Sequence, residues 1–204
     1  MTTAQIIDKF RLYVDDSSEL SSAQELALAE KIYRQVLDEH DFEFLKKEYS
    51  GTTSGDYISL PSDFKNIAIN YTQDGEPEQV VFVGPTFEVY KVIPFSERRS
   101  YRGHSNCCYI DKRQNRLYFT STPSSGLAVE FDYIYNPDAL TTGTSPVFDA
   151  IHHDIIYHGM VTDYYSIEQT EKGRAYFSEN NAWYQKFLAR MKNVNLKNTG
   201  RLTY

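Results

Sequence analysis

The stretch GDYISLPSDF, Gly55 to Phe64, is where the chain leaves helical periodicity for that of a strand. Tyr57 and Ser59 alternate with Ile58 and Leu60, the period-two pattern of a half-buried strand. Pro61 then removes a backbone donor and ends the pairing. Ser62 or Asp63 can accept the amides of a tight turn, and Phe64 can pack back over it. Leu60, Pro61, Asp63 and Phe64 are therefore expected to form a structural hinge between a helical part and a β part.

Upstream the pattern is helical. Thr3 to about Val14 places Ile6, Phe10 and Tyr13 on one stripe. DDSSELSS breaks it, and Ser22 with Glu25 reads as a capping box opening a second helix. Leu26, Ala29, Tyr33 and Val36 carry that helix toward HDFEFLKK, where Phe42, Phe44 and Leu45 form an aromatic plug belonging to the core. SGTTSGD reads as a spacer.

Downstream, YISLP, KNIAINYT and EQVVFVG are short runs of β-branched and aromatic residues separated by turn chemistry such as QDGEPE. PTFEVYKVIPF fits either a short helix after Thr86 or a strand. ERRSYRGHSN reads as a loop whose length hints at mobility or contact, with Arg98, Arg99, Tyr101 and Arg102 as its contact residues. CCYIDKRQNRLYFTS is a hairpin turning at KRQN. LAVEFDYIYNP is a strand with Val129, Phe131, Tyr133 and Tyr135 on one face and Asp132 opposite. Helical spacing returns from Phe148 to about Gln169, with Ile151, Ile155 and Tyr165 on one side and Gly159 allowing close approach. EKGRA marks a turn or fray, and a last helix to about Val194 aligns Phe177, Tyr184, Leu188 and Met191.

The order of elements gives an α+β fold: a helical bundle from the N- and C-terminal helices with an inserted antiparallel β unit of about five or six strands, a small sandwich or barrel. The expected division is residues 1–50 and 141–192 for the bundle, 51–140 for the β unit and 193–204 for an extended basic tail.

With 204 residues, 41% of them hydrophobic, the chain can bury a real core. No apolar run approaches the roughly 18 residues that span a bilayer, and MTTAQIIDKF lacks the basic start and apolar core of a signal peptide. Cys107 and Cys108 are neighbours and point to opposite faces of a strand, so no disulfide joins them; the chain reads as made in a reducing cytoplasm. The net charge of −7 argues against wrapping nucleic acid. From Asn181 onward five basic side chains (Lys186, Arg190, Lys192, Lys197, Arg201) stand without an acidic one, leaving −12 on residues 1–180. A basic tail on an acidic body suits docking on an acidic surface of a neighbouring copy or a partner; a solvated helix end favoured by the helix dipole is the plainer reading.

No Gly-rich phosphate loop, nucleophile elbow or paired zinc spacing is present, and no cofactor is expected. FDAIHHDIIYHGMVTDYY sets Asp149 and His153 one helical turn apart, and likewise Asp154 and His158. Such pairs could hold a metal or move protons, as in a metal-dependent hydrolase. They lack the zincin spacing and are common as simple ion pairs. Seventeen tyrosines suit interfaces that meet water, although strands favour tyrosine anyway. A β-sandwich module binding sugar or peptide on the FDYIYN strand is a further alternative.

The succession HDFEFLKKEY, YISLPSDF, NRLYFTSTPS, LAVEFDYIYNPDAL and FDAIHHDIIYHGMVTDYY resembles the head–tail connector, or adaptor, family of tailed bacteriophages over about residues 20–190. A tryptophan is frequent in that family where this chain has Phe42 and Phe44, and ERRSYRGHSNCC has no counterpart there. The resemblance implies a structural, non-enzymatic virion protein at the head–tail junction, assembled in the host cytoplasm. It implies a homo-oligomeric, dodecameric ring built by the helical bundle below the portal protein. The ring would extend the channel for genomic DNA without sequence-specific binding and meet a tail or neck protein, with no membrane involved. The tail, with Lys192, Val194, Leu196, Lys197, Arg201, Leu202 and Tyr204, would then insert into the portal. A neck or tail-completion ring binding tail components only is the nearest alternative.

Overall fold

The computed structural model describes residues 1–14, 19–71, 77–167 and 170–198, with side chains of the last helix described as far as Asn193. The expected breaks at DDSSELSS and QDGEPE, the expected helix end at Gln169 and the end of the tail fall wholly or partly outside these residues. The chain forms an α+β fold of two compact units, one from residues 1–44 and 138–204 and the other from Leu45–Pro137.

In the helical unit, α1 (Thr3–Arg11) opens on a capping box between Thr2 and Gln5 and buries Ile6, Ile7 and Phe10. Helix α2 (Ser22–Asp38) is capped one residue earlier than Ser22, by Ser21 and Gln24. Glu25 is unavailable as a cap because Arg11 holds both its carboxylate oxygens, Nε to Oε1 at 2.8 Å and Nη2 to Oε2 at 2.6 Å. Glu25 is only 2% exposed, so this two-pronged pair satisfies a charge that would otherwise be costly to bury.

The expected helix from Phe148 is delayed. Asp149 accepts the amide of Ile151 and starts a 3₁₀ turn, Ala150–His152. Helix α3 (Asp154–Tyr164) follows. The tighter turn shifts the phase, so Ile151 is 68% exposed while Ile155 is fully buried. Ile155, Ile156, Met160 and Val161 cover α3 almost all round, as a helix enclosed by others requires. It packs against α1, α2 and the long α4 (Glu171–Asn198). EKGRA is the first turn of α4 rather than a break, because the Thr170 hydroxyl accepts the Gly173 amide at 3.0 Å. Leu188 and Met191 are buried as the spacing predicts, whereas Phe177 is exposed.

The β unit is larger than expected and not purely antiparallel. Its strands are β1 (Lys46–Thr52), β2 (Tyr57–Ser59), β3 (Phe64–Ile67), β4 (Asn70–Tyr71), β5 (Pro77–Glu78), β6 (Val80–Val83), β7 (Glu88–Val92), β8 (Cys107–Asp111), β9 (Arg116–Phe119) and β10 (Ala128–Tyr135). The main sheet runs β1-β10-β6-β7-β8-β9-β2, with β3 also on β10, and β4 pairs with β5 apart from it. Strand β1 occupies KKEYSGT, a stretch expected as helix end and spacer, and pairs along its length with β10 from Lys46↔Ile134 to Thr52↔Ala128. PTFEVYKVIPF resolves as strand β7.

Among the described strands one junction is parallel, Lys91↔Cys107 and Val92↔Cys108 between β7 and β8. Parallel neighbours need a long crossover, and ERRSYRGHSN supplies it. The β8–β9 hairpin turns at KRQN as expected. The two ends of the sheet path approach each other, since the Tyr49 hydroxyl of β1 donates to the Ser59 carbonyl of β2 at 3.2 Å. Ile58, Val81, Leu117, Val129 and Phe131 fill the enclosed core.

Gly159 is a point of close approach between helices. A Cβ there would overlap the Ile32 methyl of α2 and lie 3.1 Å from the Tyr184 ring of α4. Gly159→Ala is therefore expected to destabilise the protein by about 1–3 kcal/mol through overpacking. Chemical denaturation of the two proteins measures it, and equal midpoints would mean the helices can part at no cost.

Candidate functional site

The histidine helix does not assemble the expected pairs. Asp149 faces its own turn, and Asp154 is bound by Lys9 Nζ at 2.7 Å. His153 Nδ1 lies 2.9 Å from the Met1 amino group and 3.0 Å from the Met1 carbonyl, and its Nε2 lies 2.8 Å from the Phe148 carbonyl. His158 Nδ1 lies 2.7 Å from Asn180 Oδ1, an acceptor, so the ring carries its proton there. The ring is stacked by Trp183 and Phe187 at 5.9 and 5.8 Å. Each group is satisfied by a separate partner: the 3₁₀ turn engages Asp149, Lys9 of α1 holds Asp154, and Asn180 of α4 holds His158. Among the described residues no group of three or more His, Cys, Asp or Glu side chains could hold a metal. The remaining imidazole, His152, is buried with Nδ1 unpartnered, and burial lowers its pKa.

Leu60, Pro61, Asp63 and Phe64 all lie inside the β unit. The Leu60 amide donates to the Asn115 carbonyl, and the Asn115 side-chain amide donates back to the Leu60 and Pro61 carbonyls at 3.0 and 3.2 Å. Asn115 adopts φ +51°, a left-handed conformation that asparagine tolerates. Phe64 stacks on Tyr133 at 5.8 Å. The Asp63 carboxylate receives Lys47 Nζ at 2.7 Å and the Tyr133 hydroxyl at 3.1 Å, and the hydrogen bond from Lys47 holds its pKa below the usual carboxylate range. This stretch thus ties β1, β3, β10 and the β8–β9 turn together.

Of the crossover residues Arg98, Arg99, Tyr101 and Arg102, Arg98 lies over the first ring of a row, while Tyr101 packs on His104 at 5.5 Å. Tyr109, Tyr118 and Tyr57 are cross-strand partners on β8, β9 and β2, on the face opposite the core. Their rings lie 5.5 and 5.6 Å apart, and Phe95 extends the row at 5.9 Å from Tyr109. Arginines close both ends: Arg98 over Phe95 at 3.8 Å and Arg116 over Tyr57 at 4.0 Å. Phe95 also lines a cleft of about 520 Å³ with Val92, Ile93, Pro94, Ile110, Lys112 and Arg113.

The outer face at the other end of the sheet has the opposite character. Glu48 stands directly across from Asp132, and Glu130 is across from Phe82, which is across from Val89. Among the described residues, no ion pair engages these three carboxylates. Phe87, at the tip between β6 and β7, is 55% exposed and holds φ +51°. Alternation in CCYID and RLYF, carried through, would have placed Tyr109 and Tyr118 outward. The acidic face was illegible without the pairing of β1.

Of the expected tail residues, Lys192 reaches Glu39 Oε2 at 3.0 Å. The backbone remains helical through Asn198, while the side chains of Val194, Leu196 and Lys197 and the whole of Arg201, Leu202 and Tyr204 lie outside the described residues.

Two titrations follow from these environments. Burial lowers the His158 pKa, so its contribution to stability is present above its ordinary 6.5 and is lost as pH falls. NMR titration of the ring is expected to give a midpoint below 6.5; a midpoint at or above it would contradict the packing. Asp63, with its lowered pKa, stabilises above the ordinary carboxylate range of about 4 and ceases to as pH falls below it. Asp63→Asn is expected to cost about 1 kcal/mol at pH 7, a modest figure because Lys47 is 46% exposed. That difference should shrink in melts run at pH 3.

Comparison with known proteins gives one family: a sequence-family model described as SU10 adaptor protein matches residues 1–203. No curated protein matches the chain.

Proposed function

Because the chain belongs to the SU10 adaptor protein family, a family of phage head–tail adaptors, we propose that it forms a homo-oligomeric ring below the portal and joins capsid to tail. The observation that carries this reading is the extent of the match, which spans the helical and β units together. On this reading the protein is a structural virion component with no catalytic role. The helices build a bundle that forms the ring, and the C-terminal segment from Lys192 to Tyr204 contacts the portal. A tail or neck protein meets the opposite side.

Physical arguments support the details. A head-to-tail ring needs two different complementary patches on each copy, and the β unit carries outer faces of opposite charge. A channel wall on a chain of net charge −7 does not grip phosphates, so the genome can slide past it.

Native mass spectrometry of the protein, alone and mixed with portal from the same virion, tests the proposal. A closed ring, or a monomer that adds to portal with the portal's symmetry, is the expected result. Removing residues 193–204 is expected to leave a folded protein that no longer binds portal. Normal portal binding by the truncated chain would remove the tail from the proposed contact. Binding to tail proteins without portal would move the ring lower in the neck.

A further inference from the structure

We infer that the two charged outer faces of the β unit are the halves of one head-to-tail contact between copies of this chain. The exposed Phe87 of one copy enters the Phe95-lined cleft of the next. The inference rests on the ring reading above and adds to it a contact through the β units.

Charge is the first argument. Arg98 and Arg116 lie over rings of the aromatic row, Lys112 and Arg113 line the cleft beside Phe95, Arg99 and Arg102 follow Arg98 in the same crossover, and none of the six forms an ion pair among the described residues. Glu97 is an acidic neighbour in sequence, Asp111 is the strand partner of Arg116 and lines the cleft, and Asp56 is close enough to act on Arg116, so the six basic side chains outnumber the acidic ones. At the far end of the sheet Glu48 and Asp132 oppose each other directly, an arrangement that destabilises an isolated strand pair. A cationic partner relieves that repulsion, and the chain carries such a partner on its own opposite face.

Shape is the second. Phe87 is a large aromatic in the left-handed region, where a Cβ is strained against the backbone and glycine is not. Within the chain its only ring contact among the described residues is an edge-on one with Phe82 at 6.5 Å. It therefore contributes little to the fold in return for the strain. Beside it, Phe82 and Val89 extend an apolar patch flanked by Glu130. The open cleft lined by Val92, Ile93, Pro94, Phe95 and Ile110 offers about 520 Å³, ample for one phenyl ring, and Gln79, Asp111, Lys112 and Arg113 line it too. A knob on one surface and a pocket on another give a heterologous contact, the kind that closes into rings.

The aromatic row itself favours a protein occupant over single-stranded nucleic acid. Tyr109 and Tyr118 are stacked on each other at an interplanar angle of 12°, so the ring faces they share are closed to a base, and the Tyr118 hydroxyl donates to Gln114 Oε1 at 2.6 Å. A strand of bases needs open ring faces.

The test uses the full chain and three variants. F87G removes the knob while relieving the backbone, so its melting temperature should equal or exceed that of the wild type. R98E/K112E/R113E reverses the basic face, and E48K/E130K/D132K reverses the acidic one. Self-association is followed by sedimentation velocity and native mass spectrometry, alone and on portal, at low and high salt. Each variant is expected to associate about tenfold more weakly or worse, and an equimolar mixture of the two charge-reversed proteins should recover. High salt should weaken the wild type.

If wild-type copies assemble and the variants assemble equally well, the copies meet elsewhere: the inference fails while the ring reading stands. If the wild type assembles neither alone nor on portal, the ring reading fails and takes the inference with it. Should the variants instead lose a tail protein, or an oligonucleotide in a gel shift, with copies still assembling, the faces belong to that partner and the inference is overturned.

Discussion

The β unit hangs on β10. One edge of that strand is paired over seven residues with β1, and its other edge is shared between β6 near Val129 and β3 near Tyr133. Three strands distant in sequence therefore depend on one register. Val129, Phe131 and Tyr133 point into the core, and a slip of one residue would turn all three outward. The register is pinned where β10 ends: β3 pairs there across a register shift between Ile134 and Tyr135, and the Tyr133 hydroxyl reaches Asp63. Helix α3 has the corresponding place in the helical unit, apolar on nearly every side and drawn tight against α2 and α4 at Gly159.

Most of the fold class was legible because apolar spacing reports directly on buried faces. The stripes of α1 and α2, the β8–β9 hairpin, the inward face of β10 and the glycine contact all follow from period and composition. What escaped notice escaped for identifiable reasons. KKEYSGT has Tyr49 as its sole large apolar residue, so an edge strand whose pairing is supplied by β10 leaves no hydrophobic alternation to read. Ile151 looked like part of a core stripe because a 3₁₀ turn cannot be told from an α-turn by spacing alone. Glu25 looked like a cap because its pairing with Arg11 joins residues brought together only by folding.

The candidate site shows the same limit. Asp149, His153, Asp154 and His158 have the right residue types one turn apart, yet each finds a partner outside the set: Ile151, Met1, Lys9 and Asn180. Chemistry at a site is decided by which neighbour wins each group, and three of those four neighbours are on other elements. The charged faces are the converse case. Their residues are unremarkable in order, and only strand pairing gathers the acids of β1 and β10 at one end and the arginines of the crossover and β9 at the other.

The two neighbouring thiols have a practical consequence. Strand alternation seals Cys108 in the core, where burial and its neighbour push its pKa up, and leaves Cys107 half-exposed on the outer face next to Lys91 of β7. A maleimide dye therefore has one site to react with while the protein stays folded. That site sits on β8 on the same outer face as Tyr109, so the chain carries its own attachment point for a fluorescent reporter of whatever approaches this face.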